Sequence, residues 1–560
     1  IFKTFTTISA VTMAGDALTN YWRETLAGIG KSAFAIILIL LPLLIYIFTS
    51  RKFTYKRGYG WQVCLVLLIV PIILFALTSL FVRLDSKGGI SYKYVYYNTF
   101  APLESVNRFG AVTTFRLDIE NLIKPKEEDL NGPTDLSGIG NDNPNTPVTY
   151  KDNVMEIDFD QLIANESSDT IKDMHEYFKS VTPTKQNKYT GMFEGYNLIW
   201  ICAEGFSEWA VDETHTPTLY KLTHEGFVFK NFYNPIWYAS TTDGEYTTTT
   251  GLIPKAGIRS YSTSASNYMP FGFGTMFKNL GYTARAYHNH TFEYYGRDKS
   301  HPNMGYEFKA RGNGLEITGS WPESDLEMMQ VTIPEYINDE HFHTYYMTVS
   351  GHLQYNFQGN AMSRKHQEEV QDLPYSDAAK AYIACNMEFD KAMEYLLDEL
   401  EKAGKLDNTV IVFSGDHYPY GLTESEMQEL SDWEIDPTFE MFRSALCIWN
   451  SKMETVEVDK YCSALDVMPT LCNLFGLEYD SRLIIGQDIL SDSPALVMFN
   501  DKSYITDYGR YNAKTDTFTP NEGVTVPEGY ASDVLNVVKA KFKYSVEILE
   551  NDYYAKVFKS

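Results

Sequence analysis

The chain has 560 residues, 44% hydrophobic and 21% charged, enough to bury a large core and to form more than one structural unit. With 73 acidic against 47 basic residues its formal net charge is −26, which argues against nucleic acid as a partner, because such binding needs a basic footprint. The acidity suits an exported soluble domain, and an anionic lipid substrate would have to be attracted locally rather than by the overall field.

Residues 1–30 are too polar to span a bilayer and are expected to form an interfacial segment. A chain beginning at Ile1 rather than Met is expected to start further upstream in its natural form. Ser32–Ser50 and Gly58–Val82 contain no charged residue. At 1.5 Å per residue the first covers roughly 28 Å, close to the roughly 30 Å hydrocarbon thickness of a bilayer. Residues 31–83 are therefore expected to form two transmembrane helices. The cations between them, Arg51, Lys52, Lys56 and Arg57, go to the cytoplasmic side by the positive-inside rule. Everything after Val82 is then expected outside the cell. Residues 84–190 read as a linker with helices: Ser105–Ile123 suits a helix, whereas Lys124–Asn153 is rich in Asp, Asn, Pro and Gly.

From 191 to 560 strand-like and helical runs alternate. Leu198–Cys202, Phe227–Tyr233, Thr283–Tyr287, Tyr345–Val349 and Val410–Phe413 read as strands. Pro217–Glu225, Gly274–Leu280, Ser376–Ala403, Leu465–Phe475 and a terminal Ala531–Tyr554 read as helices. The alternation predicts an α/β fold, a mostly parallel sheet with helices on both faces. The cysteines Cys64, Cys202, Cys385, Cys447, Cys462 and Cys472 form no Cys-x-x-Cys pair and read as small apolar residues rather than a disulfide framework.

Three strand-like runs end on residues of metal-ligand type. Thr409–Phe413 runs into Ser414-Gly415-Asp416-His417, Asn197–Cys202 into Ala203-Glu204-Gly205, and Tyr345–Val349 into Ser350-Gly351-His352. Open α/β sheets bind ligands beyond the carboxyl ends of their strands, and an oxygen-plus-nitrogen set suits a hard or borderline divalent ion. Between these strands lies Tyr238-Ala-Ser-Thr241-Thr242-Asp243-Gly244-Glu245-Tyr246, a polar helix start whose hydroxyl is a candidate nucleophile once a metal lowers its pKa. Thr241 and Thr242 compete for that role.

At these residues the chain resembles the lipoteichoic acid synthase family, membrane-anchored phosphoglycerol transferases of the sulfatase and alkaline-phosphatase-like superfamily. The matching motifs are Lys188–Phe193, Ser240–Glu245, Gly415-Asp-His-Tyr418, Asp466-Val-Met-Pro-Thr470 with Leu474-Phe-Gly476, and Ile485-Gly-Gln-Asp488. The resemblance implies Glu204, Thr241, Asp416 and His417 as metal ligands, with Thr241 the nucleophile and manganese the ion; magnesium or zinc also suits the donors. It implies a headgroup-binding segment at His288-Asn-His290 to Tyr295-Gly-Arg297, with Arg297 a donor fork for phosphate, His352 a second donor, and His288 or His352 the proton carrier. The chain departs from the family's pattern at Gly205, usually serine, at His290, commonly an acid, and at Tyr295, often tryptophan.

The implied reaction moves glycerol phosphate from phosphatidylglycerol, through a covalent threonine intermediate, to a growing polyglycerol phosphate chain or a glycolipid anchor, releasing diacylglycerol. Phosphoethanolamine transfer and phosphoglycerol transfer to a glucan fit the same scaffold. A non-catalytic surface protein is the reading from another class, and the complete ligand set argues against it. The absence of a Cys/Ser-x-Pro-x-Arg sequence argues against sulfate-ester hydrolysis by a formylglycine nucleophile.

Overall fold

The computed structural model describes residues 61–85, 90–124, 132–140 and 150–559, with scattered positions between 30 and 47 and between 126 and 130. The expected interfacial segment, most of the first apolar stretch and the basic segment after it lie outside the described residues. The chain divides into two compact units, 1–129 and 130–560.

In the first unit the second apolar stretch forms α1 (Trp61–Leu84), a 24-residue helix whose one charge is Arg83 in its last turn. Among the described residues no helix is long and apolar enough to cross a membrane; the side chains of α1 at 63, 64 and 67 are not among them. Two helices follow, α2 (Tyr92–Tyr97) and α3 (Pro102–Ile123). The Ser91 hydroxyl caps α2 by accepting the Tyr94 N–H at 3.1 Å. The third helix starts at Pro102, ahead of the expected Ser105, because proline's fixed φ suits a first helical turn, and it breaks at Gly110 (φ 77°, ψ 166°).

The second unit is built on a nine-stranded sheet: β1 (Asn197–Ala203), β2 (Phe227–Phe229), β3 (Thr283–Thr291), β4 (Glu307–Arg311), β5 (Gly314–Leu315), β6 (Phe342–Met347), β7 (Thr409–Gly415), β8 (Leu446–Trp449) and β9 (Val456–Val458). The spatial order is β9-β2-β8-β7-β1-β6-β3-β4-β5. All neighbours are parallel except β8, which runs antiparallel to β2 and β7. The central strands β1, β6 and β7 are buried along their whole length, which explains their continuous apolar runs.

Its helices include α4 (Thr241–Thr250), α5 (Arg297–Asn303), α6 (Asp325–Tyr336), α7 (Asp377–Lys402), α8 (Val467–Leu474) and α9 (Tyr530–Glu550). Ile199, Ile201 and Phe413 share one core with Met328 and Ile333 of α6 and Met393 and Leu396 of α7. On the opposite face Trp200 meets Phe273, ring centroids 4.9 Å apart. Register fixes the outcome for function: Cys202 pairs with both Met347 and Ser414, so β1, β6 and β7 end at one edge and deliver their next residues together.

Two further elements differ from expectation. Phe227–Tyr233 is two strands, not one: after Phe229 the chain turns, and Phe232–Tyr233 pairs with Cys462–Ser463 in a separate two-stranded sheet. The terminal helix stops at Glu550, and a second one, Tyr553–Phe558, begins after Asp552 in the left-handed conformation (φ 46°). A four-stranded antiparallel sheet also spans Val497 to Pro520. Cys202, Cys385, Cys447, Cys462 and Cys472 are buried and free.

Candidate active site

Glu204 follows β1, and Asp416 and His417 follow β7; all three are buried, with one donor atom from each within 4.8 Å of the others. The Asp416 Oδ1 accepts the N–H groups of Gly205 and His417, both at 2.8 Å. The His417 Nδ1 lies 2.9 Å from the Tyr418 carbonyl, which can only accept, so Nδ1 carries the proton and the Nε2 lone pair faces the carboxylates. That nitrogen stands 3.2 Å from Asp416 Oδ2 and 3.5 Å from Glu204 Oε1. Neither carboxylate oxygen has a hydrogen-bond partner among the described residues.

Buried acceptors without donors are costly, and here they converge on one point, which is what a cation site requires. Burial pushes the Glu204 carboxyl well up, Asp416 beside it adding to the rise, and burial likewise raises Asp416. Three oxygens, counting Thr241, and one imidazole nitrogen fit manganese, magnesium or zinc. Two results follow. Because protons compete with a cation for carboxyls raised in this way, divalent-cation affinity is expected to fall as pH falls, with proton release on binding wherever the carboxyls are protonated, measurable by calorimetry in buffers of different ionisation enthalpy. Asp416→Asn is expected to weaken divalent-cation binding, titrated with manganese, by more than about 100-fold, beyond the loss of an outer hydrogen bond to a ligand.

The nucleophile candidate is the first residue of α4, a helix buried along all ten residues. Thr241 Oγ1 lies 3.2 Å from His417 Nε2 and 3.4 Å from Glu204 Oε2. The hydroxyl of Thr242, by contrast, has no partner among the described residues. Ser240 holds the entry to the helix at φ 39°, ψ −110°, a conformation costing a side-chain-bearing residue about 1–3 kcal/mol. Gly244 lets the helix approach β7: a Cβ there would stand 2.0 Å from the Asp416 carbonyl oxygen. Gly205 has φ +61°, and a Cβ there would lie 2.9 Å from the Gly351 carbonyl oxygen, which accounts for glycine at that position.

Beside this cluster Arg297, the first residue of α5, is fully buried. Its Nε donates to Glu245 Oε2 at 3.0 Å and its Nη1 to His288 Nε2 at 3.3 Å, while Nη2 has no partner among the described residues. His288 sits on β3 with Nδ1–H on the Met347 carbonyl at 2.9 Å, and burial, then Arg297, push its pKa well down, so it is neutral. Its two nitrogens hold the strand and the guanidinium. The Tyr295 ring lies under Arg297, 5.3 Å from its guanidinium carbon. His290 Nδ1 meets the buried Glu323 at 3.1 Å, and its ring stands edge-on to Trp321, which in turn abuts His352. The pKa of His352 falls to about 4 through burial, and its Nδ1 is bonded to the Leu353 carbonyl.

The structure thus brings Glu204, Thr241, Asp416 and His417 into one cluster and His288 against Arg297. Glu245, His301 and Glu323 carry no such signal in the sequence: single charged or imidazole side chains become legible only when burial pairs them. Glu245 closes the Ser240–Glu245 motif, but its partners lie 52 to 100 residues away.

Residues 196–477, half of the chain, match the family model for sulfatases. The chain is similar to lipoteichoic acid synthase 2 of Bacillus subtilis, 25% identical over 432 residues that are 72% of this chain and 64% of that protein. It is similar also to the lipoteichoic acid synthase of Staphylococcus saprophyticus, 24% identical over 402 residues, 67% of this chain and 60% of that one. It thus spans less than two thirds of the length of these relatives. Among solved structures, the lipoteichoic acid synthase LtaP from Listeria monocytogenes superposes with a TM-score of 0.56 at 22% identity, covering 68% of this chain and 98% of that one. A protein of the alkaline phosphatase superfamily from Vibrio parahaemolyticus gives 0.51 at 17% identity, covering 71% and 99%. The family match, the mostly parallel sheet and the carboxylate–imidazole cluster at its edge agree: the chain belongs to the sulfatase family.

Proposed function

We propose that the protein transfers glycerol phosphate from phosphatidylglycerol to the terminal hydroxyl of a polyglycerol phosphate chain or of a glycolipid anchor. The observation that carries this reading is the Thr241 hydroxyl, 3.2 and 3.4 Å from a buried cluster with two unpartnered carboxylate oxygens. A divalent cation bound by Glu204, Asp416, His417 and Thr241, manganese by family resemblance, supplies Lewis acidity that makes the threonine hydroxyl nucleophilic near neutral pH.

In the first step the Thr241 oxygen bonds to phosphorus, the bond from phosphorus to the diacylglycerol oxygen breaks, and the threonine proton ends on that leaving oxygen. In the second, the acceptor hydroxyl bonds to phosphorus, the threonine ester breaks and the acceptor's proton returns to Thr241. Arg297 holds the phosphoryl oxygens through Nη2, oriented by Glu245 and His288. Of the two candidate proton carriers, His288 has both nitrogens engaged, so its role is to position Arg297. His352, neutral at pH 7, is the other candidate carrier of the acceptor's proton. His290 and Tyr295 line the headgroup side. Residues 31–83 anchor the chain in the cell membrane, 84–190 connect, and 191–560 act on its outer face, where both lipid donor and lipid product reside.

The test is diacylglycerol release from labelled phosphatidylglycerol by the detergent-purified protein with and without manganese. Manganese-dependent release supports the reading. No release despite bound manganese redirects the donor to phosphatidylethanolamine, and no release with no metal binding favours the non-catalytic reading.

A further inference from the structure

The second half of α3 exposes an apolar stripe that the catalytic reading does not use. Val112, Phe115, Ile119, Leu122 and Ile123 are all exposed, Val112 by 87% and Ile123 by 80%. At 3.6 residues per turn they fall within an arc of about 100°. Thr114, Leu117 and Asp118 on the opposite arc are buried, so the helix is already packed on its other side. Scattered exposed apolar residues are ordinary; a contiguous row of five large ones marks an interaction surface.

What adjoins the stripe selects its occupant. Arg83, at the end of the apolar helix α1, donates from Nε to the Tyr97 hydroxyl of α2 at 3.2 Å. Tyr92 and Tyr96 of α2 stand edge-on to Phe109 of α3, at 5.6 and 5.3 Å. Arg108 lies over the Tyr92 ring and Arg116 over that of Tyr96, each at 5.2 Å. Three tyrosines interleaved with three arginines, directly after an apolar helix, are the composition of a lipid headgroup layer, where amphipathic rings and long cationic side chains keep an apolar body inward and a polar end wet. A soluble partner protein gives no reason for that belt to continue from α1.

We infer that α3 is an interfacial helix, its Val112–Ile123 stripe seated in the outer leaflet of the membrane that α1 enters, with the tyrosine–arginine cluster at headgroup level. The stripe rests on the reading of α1 as a membrane anchor, and its function is to hold the chain's exit, at Lys124, on the bilayer that presents the lipid donor.

The full chain is reconstituted in vesicles of phosphatidylglycerol and phosphatidylethanolamine. Spin labels are placed singly by Val112→Cys, Ile119→Cys and, as the solvent-side control, Glu120→Cys, on a Cys64→Ser background. Labels at 112 and 119 are expected to be open to oxygen and shielded from an aqueous nickel chelate, and the label at 120 the reverse. Equal access of the chelate to all three overturns the inference, as does spin–spin broadening between molecules with exclusion of both reagents, which would put a second copy on the stripe. A second measurement uses Val112→Asp/Ile119→Asp: release from long-chain phosphatidylglycerol in vesicles is expected to drop about fivefold or more, with turnover of a short-chain micellar analogue within about twofold of wild type. Equal loss on both donors, or loss on neither, overturns the inference. Failure of the catalytic reading looks different: wild type is then silent on both donors while the labelling result stands.

Discussion

Thr241→Ala is expected to abolish diacylglycerol release, by at least about 10³-fold, because in the proposed mechanism it removes the one atom to which the phosphoryl group is transferred. Thr242→Ala, one residue on, is expected to stay within about threefold of wild type. The contrast is geometric. Consecutive residues at a helix start point about 100° apart, so only one hydroxyl of the pair can face the edge where β1 and β7 end. Thr241 Oγ1 faces it, at 3.2 Å from His417 Nε2, and it also stands at the amino end of α4, where unpaired N–H groups favour a developing negative charge. Thr241→Ser keeps the oxygen but loses the methyl group that fixes its rotamer, so partial activity is expected. The covalent step has its own readout: phosphatidylglycerol labelled in the headgroup leaves label on the wild-type peptide containing Thr241 when the acceptor is withheld, and none on Thr241→Ala. An active, labelled Thr241→Ala together with an inert Thr242→Ala would move the nucleophile to Thr242.

The part of this site legible in the sequence is the part written in strand ends. Parallel strands deliver their following residues to one edge, so Glu204 after one apolar run and Asp416-His417 after another can be joined from the residues alone. Short strands in less apolar surroundings are not legible: Leu446–Trp449 is four residues long and runs against its neighbours. The strand read as Thr283–Tyr287 continues to Thr291 through His288-Asn289-His290. Three polar residues in a row carry no strand signal, yet each has a buried partner inside the fold, His288 the Met347 carbonyl, Asn289 through its Nδ2 the Asp325 carboxylate, and His290 Glu323. Buried pairing overrides polarity, and pairing over long sequence separations has no local signature.

Glu245→Gln is expected to damage stability and turnover together, and a second substitution is expected to separate the two. Glu245 is fully buried and accepts from Arg297 Nε at 3.0 Å, His301 Nε2 at 3.1 Å and the Tyr345 hydroxyl at 3.2 Å. Burial alone would raise its carboxyl; the Arg297 charge, and then His301, outweigh it and hold the pKa at about 2. A carboxyl held below its ordinary value of 4.5 contributes stability that is complete above that value and is lost as pH falls from there through about 2. Removing the charge leaves the Arg297 guanidinium unpaired in the interior, which costs about 3–5 kcal/mol and flattens that acid-side dependence. The same change frees the guanidinium from the geometry that, in the proposed mechanism, presents Nη2 to the phosphoryl group, so kcat/KM is expected to fall by about 10–100-fold. Glu245→Gln/Arg297→Met removes both charges from the interior. Its denaturation midpoint is expected to recover a large part of the loss, because no unpaired charge remains, while diacylglycerol release stays as low as in Arg297→Met alone. Recovery of activity along with stability would show that Arg297 serves the fold and that another group binds the phosphoryl oxygens; a Glu245→Gln protein with unchanged midpoint and turnover would remove the pair from both roles.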